Sequence, residues 1–111
     1  MKVTVVETPD FVRRAKAAMT EAERTALIDL LAATPEAGVS LGGGLRKVRF
    51  GRTGAGKSGG FRSIHFYRVG AGPVFLLTMF AKNERSNLSA AEVAALMKLG
   101  DELAAWYGKR Q

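Results

Sequence analysis

The chain has no cysteine, one histidine (His65), three prolines and, between Glu36 and Glu84, no acidic residue at all. Without cysteine there are no disulfides, no thiolate metal sites and no cysteine nucleophile. One histidine and a carboxylate-poor centre leave no metal-ligand constellation. Ser58, Ser63, Ser86 and Ser89 have no histidine at a spacing that suggests a serine nucleophile and its base. Long apolar runs are missing too: the longest, Pro73 to Ala81, is far short of the roughly 20 residues of a membrane span and suits a buried strand. Lys2 and Glu7 bracket an N-terminus without a signal-peptide pattern, so a cytoplasmic location is expected.

What the chain does have is an uneven charge. The acid-free stretch holds Arg46, Lys47, Arg49, Arg52, Lys57, Arg62, Arg68 and Lys82. Elsewhere the 10 acidic residues slightly outnumber the remaining cations, so the whole excess of +7 lies in the centre. A field of one sign favours a polyanionic partner, whereas a face kept for solubility mixes signs. With 111 residues, 47% of them hydrophobic, one domain over residues 1–111 with one modest core is expected.

Residues 2–6 are β-branched and predict a first strand. Thr8-Pro9-Asp10 predicts a helix start, with Thr8 as N-cap and the helix running to about Ala18. Thr20-Glu21-Ala22-Glu23 is a capping box for a second helix ending before Pro35. Gly38 to Gly44 reads as a loop, Leu45 to Gly51 as a strand, Arg52 to Gly60 as a flexible turn, Phe61 to Val69 and Val74 to Lys82 as strands. Ser89-Ala90-Ala91-Glu92 is a second capping box, opening a helix that carries Gly100 and frays from Gly108 onward. The expected fold is α+β in the order β-α-α-β-β-β-α. It has a small, mostly antiparallel four-stranded sheet, an N-terminal helical hairpin and a C-terminal helix, with the helices on one face.

Gly51 to Ser58 satisfies the phosphate-loop expression G-x-x-x-x-G-K-S/T. That chemistry needs a helix starting at the lysine, and the residues after Lys57 have strand character, so nucleotide hydrolysis is not expected. A hairpin loop that brings Lys57 to a polyanion fits better. Strand alternation separates Lys47 and Arg49 from Arg46, Val48 and Phe50, and sets Arg62 with Ile64 and Phe66. A meander could gather Arg62, Lys82 and either basic set into a phosphodiester site. Alternatively, Arg62 and Lys82 snorkel from core-facing strands. His65, in mid-strand, suits a structural role. Glu84 is either a general base or the ion-pair partner of Arg85.

The blocks Gly44-Leu45-Arg46-Lys47, Lys57-Ser58-Gly59-Gly60-Phe61-Arg62 and Ala81-Lys82-Asn83-Glu84, in this order, resemble a RelE-type toxin of the HigB-like branch of bacterial type II toxin–antitoxin systems. The resemblance covers nearly the whole chain. It implies an endoribonuclease (mRNA interferase) that needs no metal or other cofactor. Such a toxin cuts messenger RNA in the ribosomal A site through attack of the ribose 2′-OH, and a cognate antitoxin protein neutralises it and mediates any contact with operon DNA. On the family pattern Arg62 holds the scissile phosphate, and Lys82 and Lys57 assist the transition state. Arg46, Lys47, Arg49, Asn83 and Arg85 grip RNA. Asn83 stands where some relatives have arginine, and Ser89 falls near a stacking tyrosine of others, so the general base stays unassigned. Two other expectations remain: a basic module that blocks the ribosome without cutting, and a ParE-like poison of DNA gyrase.

Overall fold

The computed structural model describes residues 2–52, 56–70, 72–84 and 87–109, with the backbone alone for residue 52 and residues 56–59. The elements run β1 (Val5–Glu7), α1 (Pro9–Ala18), α2 (Glu21–Ala33), β2 (Val39–Gly42), β3 (Leu45–Arg52), β4 (Gly56–Phe66), β5 (Val74–Ala81) and α3 (Ala90–Lys109).

Local chemistry sets the helix starts. Thr8 caps α1, its Oγ1 accepting from the Phe11 amide at 3.4 Å, with Pro9 in the first turn. The same hydroxyl shares its proton between the Leu76 and Leu77 carbonyls, both at 2.9 Å, which ties α1 to β5. Both capping boxes form. The Glu23 amide donates to Thr20 Oγ1 at 3.1 Å and the Thr20 amide to Glu23 Oε1 at 2.8 Å. The Glu92 amide donates to Ser89 Oγ at 3.1 Å and the Ser89 amide to Glu92 Oε1 at 2.8 Å.

The sheet order is β1-β5-β4-β3-β2, with β1 parallel to β5 and the other pairs antiparallel. The α+β class and mostly antiparallel sheet are as expected, but there are five strands rather than four. The additional one, β2, lies inside the stretch read as a glycine loop. Gly42 pairs with Leu45, so Gly43 and Gly44 form a two-residue hairpin turn, with φ of +60° and +103°. Positive φ at both turn residues matches the twist of the flanking strands, which is why glycine is needed there. The turn expected over Arg52 to Gly60 is also shorter, because β4 already begins at Gly56 and pairs there with Arg52. The C-terminal helix continues through Gly108 and Lys109, and the rest of the expected frayed end lies outside the described residues.

Helices cover both faces of the sheet, not one. On the first face, Phe11 and Ala15 of α1 and Leu27 and Leu31 of α2 pack on Val48, Phe61, Val74, Leu76 and Met79. On the second, α3 brings Val93, Leu96, Met97, Leu103 and Tyr107 against Leu45, Ile64, Phe66, Phe75, Leu77 and Phe80. The physical reason is β5, which is buried on both sides from Val74 to Leu77 and again at Met79 and Phe80. A strand apolar on alternate and intervening positions needs two covers.

Gly100 sets how closely α3 approaches. A Cβ built there would lie 2.8 Å from Phe66 Cε2 and closer still to Cγ and Cδ2. Phe66 is itself buried and cannot move aside cheaply. Gly100→Ala is therefore expected to destabilise the fold by about 1–3 kcal/mol, outweighing a helix-propensity gain of up to about 1 kcal/mol. Urea unfolding checks this; a more stable variant would show that α3 packs less tightly on Phe66.

Candidate functional site at the uncovered end of the second face

α3 covers only part of the second face. Along β3 the pleat turns Leu45, Lys47 and Arg49 toward that face and Arg46, Val48 and Phe50 toward the first. On β4, Arg62, Ile64 and Phe66 share the second face. In register, Lys47 pairs with Ile64, Arg49 with Arg62, and Arg62 in turn with Phe80 of β5. Lys47, Arg49 and Arg62 thus form one patch beyond the end of the apolar cluster.

Arg49 and Arg62 stand directly opposite each other on neighbouring strands and, with Phe50 and Gly51, line a cleft of about 250 Å³. Arg62 is only 8% exposed. Its one hydrogen bond among the described residues is to the Phe61 carbonyl at 3.5 Å, the outer limit of such a bond. No described carboxylate pairs with Arg49, Arg62 or Lys82. Other arginines differ: Arg13 and Arg14 pair with Asp10, Arg24 with Glu7 at 2.7 Å, and Arg68 with Asp101. Like charges placed opposite each other are unfavourable, and so is a buried charge without a counter-ion. A bound anion between the two guanidinium groups would relieve both.

Lys82 follows the last residue of β5. Its amide donates to the Gly60 carbonyl at 3.0 Å, so the chain still runs beside β4, two residues beyond Arg62's partner Phe80. Lys47 Nζ donates to Asn87 Oδ1 at 2.9 Å. Two of the expected residues do not join this patch. Arg46 lies on the first face, its Nε donating to the Ala37 carbonyl at 3.2 Å and a terminal nitrogen to Gly38 at 3.0 Å. Its neighbours Val48 and Phe50, apolar and on the same side, were the signal for that placement. Asn83 lines a different hollow of about 980 Å³ between α1 and the end of β5, where Arg13 and Arg14 are mixed with Glu23 and Glu84. Arg85 lies outside the described residues, and so does its expected ion pair with Glu84. Lys57 belongs to β4 by its backbone, while its side chain lies outside the described residues.

Glu84 closes the turn after β5. Its Oε1 accepts from the Ala81 amide at 2.8 Å, and its own amide donates to the Ala81 carbonyl at 3.0 Å. The described residues of the phosphate-loop expression lie on the antiparallel strands β3 and β4, with Lys57 inside a strand rather than at a helix start. The amides of its described residues are therefore not arranged as a helix N-terminus would arrange them.

His65 is on the first face and fully buried. Its Nε2 lies 2.8 Å from the Pro35 carbonyl, an arrangement that makes it the donor. Burial is the main reason its pKa falls from 6.5 to about 4, with Arg46 adding to the effect against the opposing bond to Pro35. Neutral His65 and charged Arg46 together hold the segment 35–38 that leads from α2 into β2. Among the described residues, no three of His, Cys, Asp and Glu are grouped so as to hold a metal ion. No described helix is long and apolar enough to cross a membrane.

Residues 3–110 match a family model described as the RelE toxin of the RelE / RelB toxin–antitoxin system. No curated protein matches the chain.

Proposed function

The chain belongs to the RelE toxin family, and from that premise we propose that it is the toxin of a toxin–antitoxin pair, acting in the cytoplasm as a ribosome-dependent endoribonuclease on messenger RNA. The observation that carries this reading is the Arg49–Arg62 pair, two arginines opposite each other in the β3–β4 register that line one cleft without a described carboxylate partner. An RNA phosphodiester between them is the counter-ion the pair lacks. In the reaction, the ribose 2′-oxygen forms a bond to phosphorus and the bond to the 5′-oxygen breaks. The products are a cyclic phosphate and a 5′-hydroxyl. The 2′-OH proton leaves to a base, and the departing 5′-oxygen takes up a proton. Arg62 and Arg49 hold the phosphate, and their charge is worth most as negative charge builds on its oxygens. Lys82 and Lys57 supply further positive charge, and Lys82, just past the end of β5, passes a proton to the leaving oxygen. Lys47 grips the flanking backbone. An antitoxin protein neutralises the chain by occupying this face or distorting it.

Mapping of 5′ ends in cellular messenger RNA shortly after induction tests the reading. New ends inside translated regions, locked to the reading frame, are expected. Growth arrest without new ends would favour a non-cutting ribosome blocker, and a DNA-damage response would favour a gyrase poison. Binding of single-stranded RNA should also weaken with salt. If about four cations meet phosphates, the log–log slope is near −3; a flat dependence would contradict the electrostatic footprint.

A further inference from the structure

The contact between Lys47 and Asn87 joins residues 40 positions apart. It bridges the middle of β3 and the segment that follows β5. That segment is anchored on its far side. Leu88 lies with Thr78 and Phe80 of β5 and Leu96 of α3 around one hollow, and Ser89 caps α3. Asn87 is thus held over the second face by residues that follow it. From there it reaches Lys47, one step along β3 from the Arg49–Arg62 pair.

The type of acceptor is the informative part. Arg13, Arg14, Arg24 and Arg68 are all tied by carboxylates. Lys47 is tied by a carboxamide. A carboxylate there would fix the ammonium and cancel its charge. An amide oxygen fixes it and leaves the charge intact. A lysine side chain is long and flexible, and holding it in place before the anion arrives lowers the ordering cost of binding. We propose that Asn87 is a positioning residue of the anion site, a neutral latch that holds the Lys47 ammonium beside Arg49 and Arg62 with its full charge available to an RNA phosphate. This rests on the polyanion-binding reading of the face.

The charge of the latch separates this role from a purely structural one. Asn87→Asp keeps an acceptor in the same place and strengthens the tie to Lys47. If Asn87 merely pins the segment to β3, the new carboxylate should repel RNA equally with or without the Lys47 ammonium, so its effect should persist in a Lys47→Gln background. If Asn87 preserves the charge, the variant should melt no lower yet bind less well. The probe is a labelled oligouridylate titrated between about 50 and about 200 mM salt. Expected for Asn87→Asp is about five- to tenfold weaker binding near the upper salt and a slope shallower by about 0.7, the equivalent of one lost phosphate contact. Asn87→Ala should keep the slope and lose only about two- to threefold through poorer positioning. Lys47→Gln should resemble Asn87→Asp, and combining the two should add little. Unchanged binding by Asn87→Asp, or an undiminished effect of it in the Lys47→Gln background, overturns the inference alone. Absence of salt-dependent binding by the unsubstituted chain overturns the polyanion reading as well.

Discussion

An Arg62→Met chain is expected to lose about 10²- to 10³-fold in messenger RNA cleavage while unfolding at the same or a higher temperature. The first half follows from the site. Arg62 is the most enclosed cation of the patch, opposite Arg49 and beside the cleft they share. Removing one preorganised group that meets developing charge typically costs about 3–4 kcal/mol of barrier, which is that range of rates. The second half follows from what Arg62 lacks. Its bond to the Phe61 carbonyl, at 3.5 Å, contributes little, and no described carboxylate offsets its burial. Methionine fills a similar volume without the charge and removes the repulsion from Arg49, so stability should rise by up to about 1 kcal/mol. In an Arg49→Met background that gain should shrink, because the opposing charge is already gone. The measurement is 5′-end mapping on one side and thermal unfolding on the other. A variant that is inactive because it melts many degrees lower would make Arg62 a structural residue and remove the case for its catalytic placement.

That residue also shows how far the sequence could be read. Signals confined to a few neighbouring residues were legible: the capping boxes at Thr20 and Ser89 and the proline start after Thr8 all form as expected. The pleat was legible too, since alternation separates Arg46 from Lys47 and Arg49. Which set meets Arg62 was not, because that depends on strand register, and register is a long-range property. Composition misled where glycine was dense. Gly42, Gly43 and Gly44 suggest a loop, yet Gly43 and Gly44 make the turn of a tight hairpin and leave Val39 to Gly42 as a strand. The second helical layer was hidden in plain residues. The unbroken apolar run of β5 demanded two covers, but an apolar run alone does not say which helix supplies the second. Asn87 carried no signal, as an exposed asparagine before a capping serine reads as loop until the Lys47 contact is seen.

His65 gives the largest expected stability effect away from the patch. It is neutral in the folded chain because burial outweighs the help it receives from the Pro35 carbonyl, and its pKa lies at about 4 against 6.5 in the unfolded chain. Between those values the unfolded chain binds a proton that the folded chain refuses. Stability is therefore full above pH 6.5 and declines as the pH falls toward about 4. At about 1.4 kcal/mol per pH unit, the loss over that window is on the order of 3 kcal/mol. Arg46 contributes by keeping a positive charge beside the ring, so the site resists a second one. Carboxylates such as Asp10 also respond to acid. Burial alone would raise the Asp10 pKa, but its bond to Thr78 and the charges of Arg14 and Arg13 hold it below the usual value, so its contribution is lost at lower pH. His65→Gln separates the two, because an amide N–H can still serve the Pro35 carbonyl and cannot titrate. Denaturant unfolding across the window should show the variant less sensitive to acid than the unsubstituted chain. Parallel curves would mean that His65 takes up its proton without cost to the fold. The ring would then not be the buried, neutral support for segment 35–38 that its geometry describes.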